Sequence, residues 1–254
     1  MKVTFLGTGT SQGVPVIACT CPVCSSSDFR DQRLRCSILV EYPSGLNLVV
    51  DTGPDFRQQM LRAGVKYVDA VLYTHEHKDH IAGMDDIRAF NYVLQKHMDL
   101  YLNERVEKAL RREFSYVFAE EKYPGIPLIN LHRIDTTPFV IQNELIEPVE
   151  VMHFKLPVLG FKFGGFCYIT DANYIAEEEK KKLFGLDVLV INALRREKHV
   201  SHFTLAQALD LVAELRPKRA LLTHISHQLG KHAEVSLELP EGVELAYDGL
   251  VIDL

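Results

Sequence analysis

The sequence predicts an α/β fold, strands in sheets covered by helices, and three observations carry that expectation. Short β-branched runs are punctuated by Gly, Pro and Asn. Segments with an apolar period of 3.6 residues stand between them, and the second half of the chain echoes the first. In order, "VTFLG", "SILVEY" and "LNLVVD" read as strands, and "DFRQQMLRAG" as a helix with Phe56, Met60 and Leu61 at helical spacing. The strand "AVLYT" then runs into "THEHKDH". From Ile81 to about Gln95 the apolar residues Ile81, Met84, Ile87, Phe90 and Val93/Leu94 keep the helical period, and "NERVEKALRREFSYVF" reads as a further amphipathic helix. In the second half "LIEPVEVMHF", "FCYITD", "VLVINAL", "RALLTH" and "VELAYDG" read as strands alternating with helical "EEEKKKLF" and "FTLAQALDLVAELR". No repeat, low-complexity tract or Pro/Gly/Ser-rich linker divides residues 1–254, so a single domain is expected.

The composition is that of an ordinary globular protein, 47% hydrophobic and 24% charged, with enough chain to bury a substantial core. A formal net charge of −6 argues against a general binder of nucleic acid or anionic membrane, which would carry a basic excess. The N-terminus enters a strand-like run without a basic, then apolar, leader, and no apolar stretch approaches the length that spans a bilayer. A cytoplasmic location is therefore expected. The five cysteines, an odd number without a secretion signal, point to metal binding or burial rather than a disulfide framework.

"THEHKDH" sets His75 and His77 two residues apart and follows them with Asp79 and His80. Such spacing is too close to be spread around a helix, but a loop leaving a strand can aim all four inward and serve two cations. The same layout recurs where "VEVMHF" ends in His153, "CYITDA" in Asp171 and "ALLTHISH" in His224. Taken singly, a strand-end His or Asp is more often a capping or hydrogen-bonded residue than a ligand. Repeated strand-end delivery of metal-capable side chains is what carries weight. Cys19, Cys21 and Cys24 form C-x-C-x-x-C, one soft donor short of a closed tetrahedral zinc site. Cys36 and Cys167 stand alone in apolar strands and read as buried, inert thiols.

"THEHKDH" resembles the HxHxDH signature of the metallo-β-lactamase superfamily, with His153, Asp171 and His224 in the order that family uses for its remaining ligands. The resemblance spans nearly the whole chain. It implies a four-layer αβ/βα sandwich with two mixed sheets and a dinuclear site between them. His75, His77 and His153 would hold one metal and Asp79, His80 and His224 the other, with Asp171 bridging. "GTGTSQGVP", "CTCPVC" and "THISHQ" resemble, more closely, the PhnP-type cyclic phosphodiesterases. That likeness makes His227 the fourth ligand of the cysteine site. It places His202, in "HVSHFTLAQA", as a non-ligand active-site histidine, catalytic together with Asp79.

The implied protein is a hydrolase with two active-site divalent cations, Mn²⁺ or Zn²⁺, and one structural Zn²⁺. Its expected partner is a small, cyclic ribose phosphate or nucleotide phosphodiester, attacked by a hydroxide that the cations generate. No membrane and no long nucleic acid are expected, and a homodimer is allowed for. Three readings compete: a tRNA 3′-processing-type nuclease, disfavoured by the net charge; a PqqB-like protein; and a non-enzymatic zinc-stabilised interaction module. The chain departs from the family in "NALRREKHVSHF", which lacks a proline-rich connection, and in residues 91–127, read as a longer and more helical insert near the site.

Overall fold

Along the central strands successive apolar side chains serve two different cores, so most positions there are hydrophobic. Ile38 and Val40 face one layer and Leu39 the other; Leu48 and Val50 are opposed by Val49, and Val190 by Leu189 and Ile191. The computed structural model describes residues 1–121 and 123–254. Its first sheet contains β1 (Lys2–Gly7), β2 (Ser37–Glu41), β3 (Asn47–Val50), β4 (Ala70–Leu72), β5 (Met98–Leu102) and β6 (Ile129–Arg133). Its second contains β7 (Phe139–Ile141), β8 (Glu144–His153), β9 (Leu156–Phe163), β10 (Phe166–Tyr168), β11 (Val188–Asn192), β12 (Arg219–Thr223) and β13 (Val243–Leu245). A last strand, β14 (Val251–Asp253), returns to the edge of the first sheet beside β1.

The spatial orders are β14-β1-β2-β3-β4-β5-β6 and β13-β12-β11-β10-β9-β8-β7. Each sheet has three antiparallel pairings, from β14 to β3 in the first and from β7 to β10 in the second, followed by three parallel ones, which is the structural form of the echo between the halves. Phe5, Ile38, Leu48 and Leu72 of one sheet meet Phe161, Phe166, Val190 and Leu221 of the other in a shared inner core. Helices cover the outer faces. On the first sheet these are α1 (Phe56–Arg62), α2 (Lys78–Ile81), α3 (Arg88–Leu94) and α4 (Glu104–Glu113), and their apolar stripes pack on Leu39, Val49 and Val71. On the second they are α5 (Glu177–Lys180), α6 (Leu205–Leu215) and α7 (His232–Ser236), with Leu205, Ala208 and Leu211 of α6 on Leu189 and Ile191. The result is the expected four-layer sandwich with two mixed sheets. No helix of the described residues is long and apolar enough to cross a membrane.

Two expectations need correction. The apolar period from Ile81 to Gln95 does not give one helix: α2 ends at Ile81, a 3₁₀ turn covers Met84–Ile87, and α3 follows. The break comes at Gly83, where the chain passes so close to the loop after β3 that a Cβ would lie 2.1 Å from the Gly53 carbonyl oxygen. Nor are residues 91–127 a helical insert: they contain β5, which pairs with both β4 and β6 and so belongs to the sheet. Lys122 of that stretch lies outside the described residues.

Gly53 is as tightly placed, since its Cβ would meet the Asp79 carbonyl oxygen at 2.2 Å. Gly53→Ala should therefore cost about 3 kcal/mol and lower Tm by roughly 6–12 °C. Gly45→Ala, at φ +92° with nothing within 4 Å, is the comparison for backbone strain alone. Calorimetry giving Gly53→Ala a Tm no lower than that of Gly45→Ala would refute the close approach.

Candidate metal centre

Every predicted donor of the first cluster sits where an apolar strand runs out. β4 ends at Leu72 and the chain turns through His75 and His77 into α2, which carries Asp79 and His80; His153 is the last residue of β8. Asp171 follows β10, and His224 follows β12 directly. These residues meet in one place. His75, His77 and His153 offer nitrogens within 4.8 Å of one another, as do the donor atoms of Asp79, His80 and His224. Asp171 stands between the groups, within the same reach of His75 and His80 on one side and of His153 and His202 on the other.

The tautomers follow from the outer partners. Asp51 Oδ2 accepts from His80 Nδ1 at 2.7 Å and from Thr74 Oγ1 at 2.8 Å, while its Oδ1 accepts from Thr74 N at 2.8 Å. Thr74 Oγ1, having donated to Asp51, accepts from His75 Nδ1 at 3.0 Å. His153 Nδ1 donates to the Ser201 carbonyl at 2.8 Å. With these ring nitrogens engaged outward, the Nε2 atoms of His75, His80 and His153 are left for the shared centre. Asp51 (φ +64°) and His224 (φ +54°) both hold left-handed backbone at strand ends, a conformation that costs a non-glycine residue about 1–3 kcal/mol and gathers at functional sites. His224 is kept there by its successor, since Ile225 N donates to the Thr8 carbonyl at 2.9 Å and Thr10 N to the Ile225 carbonyl at 3.2 Å.

Several donor atoms face one another without hydrogen bonds. His80 Nε2 lies 3.1 Å from Asp79 Oδ2 and 3.3 Å from Asp171 Oδ2, and His224 Nδ1 lies 3.3 Å from the same Asp171 oxygen. Both His80 Nε2 and Asp171 Oδ2 are buried and unpartnered. Ligand atoms each about 2.1 Å from one cation stand about 3.0–3.4 Å apart, so this spacing suits N and O donors around a divalent ion. Electrostatics agrees. Burial works against charge on His80, yet the Asp79, Asp51 and Asp171 carboxylates raise its pKa well above the imidazole value. Burial also opposes charge on Asp171, and His224 and His80 reverse it, holding the carboxyl well below its usual range. The carboxylates thus demand positive charge at their centre. Burial pushes His224 itself down to about 3.

The second cluster also closes. His227 Nδ1 stands 3.3, 3.4 and 3.5 Å from the sulfurs of Cys19, Cys21 and Cys24. A tetrahedral zinc with ordinary Zn–N and Zn–S lengths would set nitrogen and sulfur about 3.5 Å apart, so the four residues fit that ion. The backbone N–H of Cys24 and the His227 ring lower the Cys21 thiol to about 6, whereas burial lifts Cys24 to about 11. Cys36 and Cys167 are buried, as expected, and burial raises both thiols.

His202 lies at the rim, 8% exposed, with Nε2 2.9 Å from Asp171 Oδ1 and Nδ1 3.0 Å from Ser201 Oγ. Asp51 is the residue that sequence reasoning missed. Its signal was present, since "LNLVVD" ends in an acid as "FCYITD" does.

A β-lactamase superfamily domain matches residues 46–225. An octanoyltransferase of Porphyromonas gingivalis (strain ATCC BAA-308 / W83) is 40% identical over 252 residues, 98% of this chain, which spans only 51% of that protein. The coenzyme PQQ synthesis protein B of Methylorubrum extorquens (strain PA1) is 34% identical over 305 residues, covering 100% of both. The crystal structure of a diphosphatase from the PhnP family superposes with a TM-score of 0.93 at 40% identity, covering 100% of this chain and 97% of that one. With the sandwich, the strand-end donors and these likenesses in agreement, the chain belongs to the β-lactamase superfamily and, within it, to the PhnP family.

Proposed function

We propose that this hydrolase-family chain holds two divalent cations, Zn²⁺ or Mn²⁺, and hydrolyses a small phosphodiester such as a cyclic ribose phosphate or nucleotide. The observation that carries the reading is the pair of donor groups, His75/His77/His153 and Asp79/His80/His224, with Asp171 between them and its buried Oδ2 unpartnered. Cations bound by these groups supply a water of lowered pKa and neutralise charge developing on phosphoryl oxygens. The chain's own residues do the rest. Asp51 and Ser201 fix the orientation and tautomer of His80 and His153, so the donor atoms need no reorganisation. His202 keeps an N–H directed at Asp171 Oδ1, and we assign it to protonating the leaving oxygen. Cys19, Cys21, Cys24 and His227 are assigned to a structural Zn²⁺. Octanoyl transfer is not adopted, because that name belongs to a protein of about twice this length.

The PhnP-family diphosphatase favours a second reading, a diphosphate substrate. A substituted diphosphate presents at each phosphorus the same single charge and bridging oxygen as a phosphodiester. The metal-loaded protein should turn over bis(p-nitrophenyl) phosphate and 2′,3′-cyclic AMP. Asp171→Ala and His77→Ala should abolish this through lost metal with unchanged circular dichroism. Either variant working at near wild-type rate with full metal content would sink the dinuclear reading, and faster hydrolysis of a diphosphate-linked dinucleotide than of any diester would move the assignment to the second.

Mild chelation should separate two classes of metal, an exchangeable pair and one tight zinc. Cys21→Ser should lose the tight zinc, and a variant that keeps its full zinc content would count against the cysteine assignment.

His202→Ala should keep its metals yet lose roughly 10²- to 10⁴-fold in rate on diesters with an alkoxide leaving group. The loss should shrink for an aryl oxide, which departs without a proton. Equal losses on both substrates would instead make His202 a phosphate-positioning residue.

A further inference from the structure

The hairpin between β8 and β9 turns in two residues, Phe154 and Lys155, because His153 pairs with Leu156. Phe154 takes φ +59°, a left-handed conformation that favours glycine and strains a residue with a Cβ. Burial does not account for an aromatic ring there, since Phe154 is 53% exposed. The turn is held from behind. Phe154 N donates to Asn173 Oδ1 at 2.6 Å and Asn173 N to the Met152 carbonyl at 2.8 Å, which ties it to the loop that carries Asp171. Strain imposed on an exposed side chain beside a candidate site is the kind of outlier from which a binding role can be argued.

The ring lines a cleft of about 410 Å³ shared with His77, His153, Arg105, Lys155 and Val200, so one end of the cleft is formed by histidines of the metal centre. Lys155 Nζ lies 5.3 Å from the ring centroid. Arg105 donates Nε and Nη2 to Glu76 Oε1, at 3.0 and 2.7 Å, so its charge is already paired and its side chain closes the cleft as part of that ion pair. A half-exposed aromatic face next to the Lys155 ammonium offers stacking for a flat ring and pairing for an adjoining phosphate. Val200, 59% exposed, adds apolar surface to the same cleft.

We infer that this cleft is a nucleotide subsite, in which Phe154 stacks a nucleobase and Lys155 pairs with the phosphate joined to its ribose. The inference rests on the phosphohydrolase reading for what the neighbouring centre does, and it selects nucleotides over base-free ribose phosphates among the candidate substrates.

Phe154→Gly separates the ring from the turn, because glycine suits the observed φ and the fold should keep or gain thermal stability. The probes are AMP and ribose 5-phosphate, titrated calorimetrically into the metal-replete protein. The ratio of the two affinities should favour AMP in the wild type, fall about tenfold in Phe154→Gly and be retained in Phe154→Trp. Lys155→Ala should weaken both probes by a similar factor, since both carry the phosphate. A ratio unchanged in Phe154→Gly, whether neither probe loses affinity or both lose it alike, overturns the inference. Because the ratio is read without turnover, failure to hydrolyse diesters would sink the phosphohydrolase reading alone.

Discussion

His80 is the side chain on which the rest of the centre depends. Its Nδ1 is committed to Asp51 at 2.7 Å, and a ring with two nitrogens then has only Nε2 to present to Asp79 and Asp171. Asp51, His75, His80, Asp171 and His224 are each no more than 2% exposed. Taking an ion out of water costs several kcal/mol, and removing one partner of a buried pair costs a further few kcal/mol. Such a group of residues is stable only as a set. Asp51 also fixes Thr74, and through it His75, so one carboxylate orders donors that serve both halves of the centre.

The sandwich makes that arrangement affordable in conformational terms. Both faces of the central strands are covered, so β3, β4, β10 and β11 are almost wholly apolar and buried, and the metal-capable side chains of the centre collect at or just beyond strand ends. Donors from β4, β8, β10 and β12 then meet without any strand having to carry a charge through the core. The left-handed residues Asp51 and His224 mark where the chain bends to aim its side chains, and the carbonyl and amide pairings around Ile225 and Thr74 hold those bends in place.

Much of this was legible because the informative residues are consecutive or end a clear apolar run. "THEHKDH" declares itself by spacing, whereas His153, Asp171 and His224 gain weight from their repeated place at strand ends and from the family resemblance, and the structure brings all of them together. What was not legible depends on approach between distant segments. The helical period after Ile81 is real, but contact of Gly83 with the Gly53 backbone interrupts it, and periodicity carries no record of that contact. β5 was hidden because "MDLYL" lies between two helical patterns and is only five residues long, too short for its alternation of buried and half-buried positions to stand out. Asp51 was overlooked because a single acid after a strand is common. Its partner His80 lies 29 residues away, so only the fold reveals the pair. The strain at Phe154 had no sequence signal, since Phe-Lys is not a usual two-residue hairpin turn.

The two candidate metal sites are mechanically joined through one short segment. His224 points into the first, His227 into the second, and between them Ile225 bridges the backbone at Gly9. The chain running on from Gly9 reaches the cysteines, where Val16 N donates to Cys24 Sγ at 3.3 Å. His227 and Cys19 are 208 residues apart in sequence, so linking them closes most of the chain into one loop. Loop-closure entropy grows only slowly with length, and the local consequence matters more. With both ends of the Gly9–Cys24 loop held, the left-handed turn at His224 has a fixed neighbour on each side.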